Sequence, residues 1–139
     1  MAFGFHAGFV HVDDVCRRLS FADRNDETGE HYFVMDRSEE SPDEALPDMA
    51  NVYIERDDHG WGGYGGIEQV VLARDSLTLH LGEQMATQMG CHDTIRVGFD
   101  VSDAVFRELR HVLSLIMRGY EPQLVVSAEP SAPADRGGR

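Results

Sequence analysis

Lysine is absent from the chain, and all twelve basic residues are Arg. A phosphate-binding loop that needs a Lys beside its glycines is therefore excluded. Twelve bases also fall far short of 25 acids, leaving a formal charge of −13. A surface of that sign lacks the basic footprint that nucleic-acid backbones and anionic membranes require, so neither a direct nucleic-acid partner nor a membrane partner is expected. Cysteine is scarce: Cys16 and Cys91 are the only two and form no CxxC spacing. That pattern indicates no disulfide framework. No apolar run approaches the length of a bilayer span. The opening MAFGFHAGFVHVDD has no basic segment ahead of its apolar residues and does not read as a signal peptide. Two free thiols in a cytoplasmic protein are the expectation.

What is present is an ordinary globular composition, 42% hydrophobic over 139 residues. A chain of that size buries about two-thirds of its surface on folding, enough for one domain without disulfides or metal. Alternation predicts a strand over residues 3–12, with Phe3, Phe5, Ala7 and Phe9 on one face. A turn at Asp13-Asp14 leads to a second strand carrying Val15, Arg17, Leu19 and Phe21, so the two read as a hairpin. Strands are expected at 31–36 and 51–56, separated by an acidic loop at 38–50 that contains Pro42 and Pro47. Residues 57–66 are half glycine and are expected to be irregular. Strands follow at 67–73 and 77–81 about a turn at Arg74-Asp75. A short helix at 83–89 is closed by Gly90, and a strand covers 95–99. Ser102 caps a helix reaching Arg118, with Val105, Leu109, Val112 and Ile116 as its apolar stripe. Residues 127–139, rich in Pro, Ala and Gly, read as a disordered tail after a single domain of residues 1–126. The order of elements indicates an α+β domain: a mostly antiparallel sheet of about six to seven strands packed on one long C-terminal helix, plus one short helix.

The acids are unevenly spread. Residues 23–58 hold thirteen acids against three Arg, about three-quarters of the net charge in a quarter of the length. An acidic segment of this kind is either a solvated loop or a face that meets a basic site on another protein. Arg-only usage also follows from a GC-rich genome, and bulk acidity from a salt-adapted cytoplasm, but neither explains the unevenness. The glycine-rich stretch that follows carries the only Trp, Trp61, together with Tyr64. Trp and Tyr are enriched at binding hot spots, although a Trp that plugs the end of a sheet gives the same sequence. The glycines do not fit a dinucleotide fingerprint. None of the seven His forms an HExxH or a Cys/His pair at zinc-finger spacing, so no metal and no cofactor is expected. Cys91-His92-Asp93 sets three catalytic residue types side by side, but working triads converge from separate segments. No catalytic residue is assigned.

Several short motifs recur in a familiar order: Phe21-Ala22-Asp23, Tyr32, Tyr53-Ile54-Glu55, Tyr64-Gly65-Gly66-Ile67, the Leu77-Thr78-Leu79-His80-Leu81 alternation, Met89-Gly90, and the strand from Ile95 to Asp100. Through them the chain resembles, from about Phe5 to Gly119, the immunity protein 10 family of bacterial polymorphic toxin systems. The resemblance implies an α+β protein encoded beside a toxin that it binds and neutralises, with no catalytic residues.

The expected function is therefore capture of a cognate, basic toxin domain, with a nuclease as the best-fitting class. Glu39, Glu40, Asp43, Glu44, Asp48, Asp57 and Asp58 would supply charge, and Trp61 and Tyr64 the desolvated anchors. The alternative is a small-ligand or glycan-binding module that stacks its ligand on Trp61 and Tyr64. A third reading, an enzyme built on Cys91, is the weakest. Oligomeric state is not legible in the sequence.

Overall fold

The computed structural model describes residues 2–23, 31–37, 52–90 and 92–127, with the backbone alone at 58–60. Among them ten strands form two five-stranded sheets, accompanied by two α-helices and a short 3-10 turn. The first sheet contains β1 (Ala2–Ala7), β7 (Ile67–Ala73), β8 (Ser76–Leu81), β9 (Thr94–Phe99) and β10 (Leu124–Val126), in the order β1-β9-β8-β7-β10. Its β1–β9 and β7–β10 pairs are parallel. The second sheet is an antiparallel meander of β2 (Phe9–Asp13), β3 (Arg18–Ala22), β4 (Tyr32–Arg37), β5 (Val52–Arg56) and β6 (Asp58–Tyr64), paired in chain order. Helix α1 (Glu83–Gln88) joins β8 to β9, and α2 (Asp103–Ile116) follows β9.

The α+β class holds, but the single sheet of six to seven strands is replaced by two sheets, and the long helix is not last because β10 follows it. Alternation identifies which residues share a face. It does not say to which sheet a strand belongs. The alternating run at 3–12 is a case in point: it breaks at Gly8, and the chain crosses from the first sheet to the second. The hairpin after it turns over four residues rather than two. Asp13 Oδ1 accepts from the backbone N–H groups of Val15 and Cys16, both at 3.0 Å, and Arg17 takes φ 54°. Asp13 therefore pairs with Arg18, and Val15 and Arg17 lie in the turn rather than in a strand.

One hydrophobic cluster joins the layers. Leu19, Phe21, Phe33, Met35 and Ile54 line the inner face of the second sheet. Val70, Leu72, Leu77, Leu79, Ile95 and Val97 line that of the first, and Phe21 stacks on Phe99 at 6.0 Å between them. Helix α2 packs on β2, β3 and β4. Its buried residues are Phe106, Leu109, Val112, Leu113 and Ile116, so the stripe runs one position past Val105, which is only half-buried. Ser102 Oγ accepts from Val105 N–H at 3.2 Å, as a cap should. Arg37 reaches from β4 and donates through Nη1 to the carbonyls of Ile116 and Arg118 at 2.8 and 2.7 Å, satisfying acceptors that the helix end leaves open. After β10, Ser127 N–H donates to Leu72 O at 2.8 Å and ties the strand to β7. Residues 128–139 lie outside the described residues. Among the described residues, no helix is long and apolar enough to cross a membrane.

The glycine-rich stretch departs furthest from expectation. Residues 58–64 are a strand, paired to β5 from Tyr53↔Tyr64 to Glu55↔Gly62. Glycine weakens a strand by entropy, but the ladder is made of backbone groups and does not require side chains. Here one glycine also makes room for packing: a Cβ on Gly63 would sit 2.5 Å from Oε1 of Gln88 in α1.

Candidate functional site

The site is built on β4, β5 and β6. In β5 Ile54 points into the core, so Tyr53 and Glu55, one residue to either side, point to the outer face of the second sheet. Register brings Val34 opposite Glu55 and Asp36 opposite Tyr53, with Tyr32 on the same face of β4. The Glu55 carboxylate is buried, at 8% exposure, and is held by two phenols. Tyr53 Oη donates to its Oε1 at 2.5 Å, and Tyr32 Oη donates to its Oε2. A phenol that donates to a carboxylate keeps its proton, and the Tyr53 hydroxyl is pushed up to about 12, first by that bond and then by burial. Tyr64 lies across from Tyr53 with ring centroids 5.1 Å apart, and is 61% exposed. The close fit needs glycine beside it: a Cβ on Gly62 would stand 2.7 Å from the Ile54 carbonyl oxygen and 3.1 Å from the Tyr53 hydroxyl.

A second cluster lies on the other face of β6. Arg56 is almost fully buried, and its guanidinium sits 4.1 Å from the Phe3 ring centroid and 4.0 Å from that of Trp61. Its Nε donates to Met89 O at 3.1 Å and its Nη1 to Asp57 Oδ2 at 2.7 Å. Asp57 turns the chain from β5 into β6 at φ 56°, a left-handed conformation that Asp tolerates better than most residues. Its other oxygen accepts from Tyr32 N–H at 3.0 Å, and His31 Nδ1 lies 3.2 Å from Oδ2. His31 in turn stacks on Phe5 at 5.7 Å.

The expected contact residues are therefore dispersed. Asp57 turns inward, its side chain 12% exposed and engaged by Arg56 and the β4 backbone. Asp58 begins β6, and only its backbone is described. Glu39, Glu40, Asp43, Glu44 and Asp48 lie outside the described residues. Trp61 and Tyr64 are both exposed, at 41% and 61%, but they occupy opposite faces of the strand. Three positions apart is an odd spacing, and odd spacings in a strand separate side chains. Nothing in the sequence marks Tyr32, Tyr53 and Glu55 as a site. The alternation Tyr53-Ile54-Glu55 signals that Tyr53 and Glu55 share a face, but Tyr32 joins them only through strand register.

Among the described residues, no group of three or more His, Cys, Asp or Glu is arranged to hold a metal ion. A family model described as Immunity protein 10 matches residues 5–107. That span covers β5, β6 and every residue of both clusters except Phe3. No curated protein and no solved structure matches the chain.

Proposed function

The chain belongs to the immunity protein 10 family, and from that premise we propose that it binds a cognate toxin domain in the cytoplasm and neutralises it by occupancy rather than by catalysis. The observation that carries the reading is the outer-face cluster of Tyr32, Tyr53, Glu55 and Tyr64. Two phenols fix a buried carboxylate, and an exposed aromatic ring stands beside it, so little side-chain freedom remains to be lost on binding. Tyrosine on a rigid strand is the residue type and setting that hot spots favour. The acidic run 39–48 falls in the chain between β4 and β5, the strands that bear this cluster. Its charge would steer a basic domain, a nuclease among the classes that must hold phosphate, towards this chain. A glycan or small-ligand module is less well supported, because Trp61 and Tyr64 face apart and cannot stack on one ligand together.

The test is titration of this chain into an inactivated form of the toxin domain encoded beside it. A one-to-one complex is expected, and Tyr64→Ala should weaken it by about 2 kcal/mol, roughly 30-fold. No heat of binding with the wild-type chain would refute the reading, and an unaltered affinity for Tyr64→Ala would remove this face from the site.

A further inference from the structure

Strand β6 forms an edge of the second sheet: β5 pairs with one side, and no strand among the described residues pairs with the other. The direction of its backbone groups follows from the ladder. Asp57 N–H donates to Tyr32 O at 3.1 Å, which assigns the odd-numbered residues of β5 to hydrogen bonding with β4. Gly65 N–H donates to Val52 O at 3.0 Å, which assigns Val52 and Ile54 to bonding with β6. In an antiparallel ladder the groups of alternate residues point to opposite sides. Gly63 and Gly65 therefore face β5, and the N–H and C=O groups of Gly62 and Tyr64 face away from the sheet.

Exposed edges usually carry a charge, a proline or a bulge that blocks further pairing. From Gly62 to Tyr64 there is none of these: the register shift lies just before, where Glu55 pairs with Gly62 but Arg56 with Asp58, so that residues 59–61 of β6 are the extra ones. Instead the edge is flanked by large rings, Trp61 on one face and Tyr64 on the other. A strand laid along β6 would set its alternate side chains beside each ring in turn. The odd spacing that prevents the two aromatics from sharing one small ligand suits them to a partner strand.

We propose that β6 receives an extended strand of the toxin domain, extending the five-stranded sheet to a sixth strand through the outward groups of Gly62 and Tyr64. This rests on the immunity reading above. Charge selects the occupant: a second copy of the chain would bring together two molecules of charge −13, whereas a basic domain is attracted.

The experiment is amide hydrogen exchange on the full chain, alone and mixed with the inactivated neighbouring toxin domain. The Gly62 and Tyr64 amides should exchange fast in the free protein and slow at least tenfold in the complex. A paired comparison separates backbone from side chain. Tyr64→Ala removes the ring and Tyr64→Pro removes the ring and the outward N–H, which an edge strand tolerates. Tyr64→Pro should bind at least tenfold more weakly than Tyr64→Ala while far-ultraviolet dichroism shows both folded. If either variant is unfolded, the exchange rates of the wild-type complex decide. A complex in which the two amides exchange as in the free chain would overturn strand addition and leave the immunity reading standing. No complex at all would overturn both.

Discussion

At the scale of the residue, Glu55 and Arg56 are adjacent in sequence and solve opposite problems. Each is a charge taken out of water, and each is tolerated because its neighbours hold it. Glu55 leans on the hydroxyls of Tyr32 and Tyr53 on the outer face. Arg56 leans on Asp57, the Met89 carbonyl and two rings at the inner end. Glu55→Gln should lower the Tyr53 titration from about 12 towards the ordinary tyrosine value, read as tyrosinate absorbance against pH. A folded-state value raised above the unfolded one means that Tyr53 contributes stability below about pH 10, lost as pH rises through about 12. If the high-pH transition survives Glu55→Gln unchanged, the carboxylate is not its cause. Arg56→Met strands Asp57 and should cost about 3 kcal/mol in urea unfolding. A cost below about 1 kcal/mol would mean that the ion pair contributes little.

At the scale of the element, the glycines after β6 do more than turn the chain. Gly66 stands at φ 74°, and a Cβ there would overlap Cβ of Met85 in α1. Gly119 has a comparable φ of 92° with open space around it. Gly119→Ala should therefore cost only the left-handed penalty, about 1 kcal/mol, and Gly66→Ala about 2 kcal/mol more from overpacking. Equal losses in thermal unfolding would show that α1 moves aside without cost. Elements with a clean period were legible in the sequence: β8, β9 and α2 lie within a residue or two of expectation because burial on one face enforces alternation or the helical repeat, and β7 and α1 were legible from the turn at Arg74-Asp75 and from Gly90 that bound them. The glycine-rich strand was not, because its pattern is carried by backbone pairing and by missing side chains. Nor was the β1–β2 crossing, since both strands present the same period to one shared core. The three-residue β10 is too short to show a period at all. The site was half legible: Tyr64 and Trp61 stood out by type, but the Tyr32–Glu55–Tyr53 contact depends on register between strands that are far apart in the sequence.

At the scale of the whole molecule, charge and shape divide the work. On the proposed function, a net −13 with most of it between residues 23 and 58 would give long-range attraction to a basic partner, and the tyrosine face and the β6 edge would give short-range fit. Raising salt from about 0.01 to 0.15 M shortens the Debye length from about 30 to 8 Å. Association with the toxin domain should slow about tenfold or more across that range, while dissociation changes little. A salt-independent association rate would show that the acidic run does not steer. Neutralisation is read from the growth of cells induced to make the active toxin domain encoded beside this chain, with and without the chain. Arrest is expected without it, full growth with it, and partial loss of protection with Tyr64→Ala. Arrest that persists when the wild-type chain is produced in excess would contradict neutralisation.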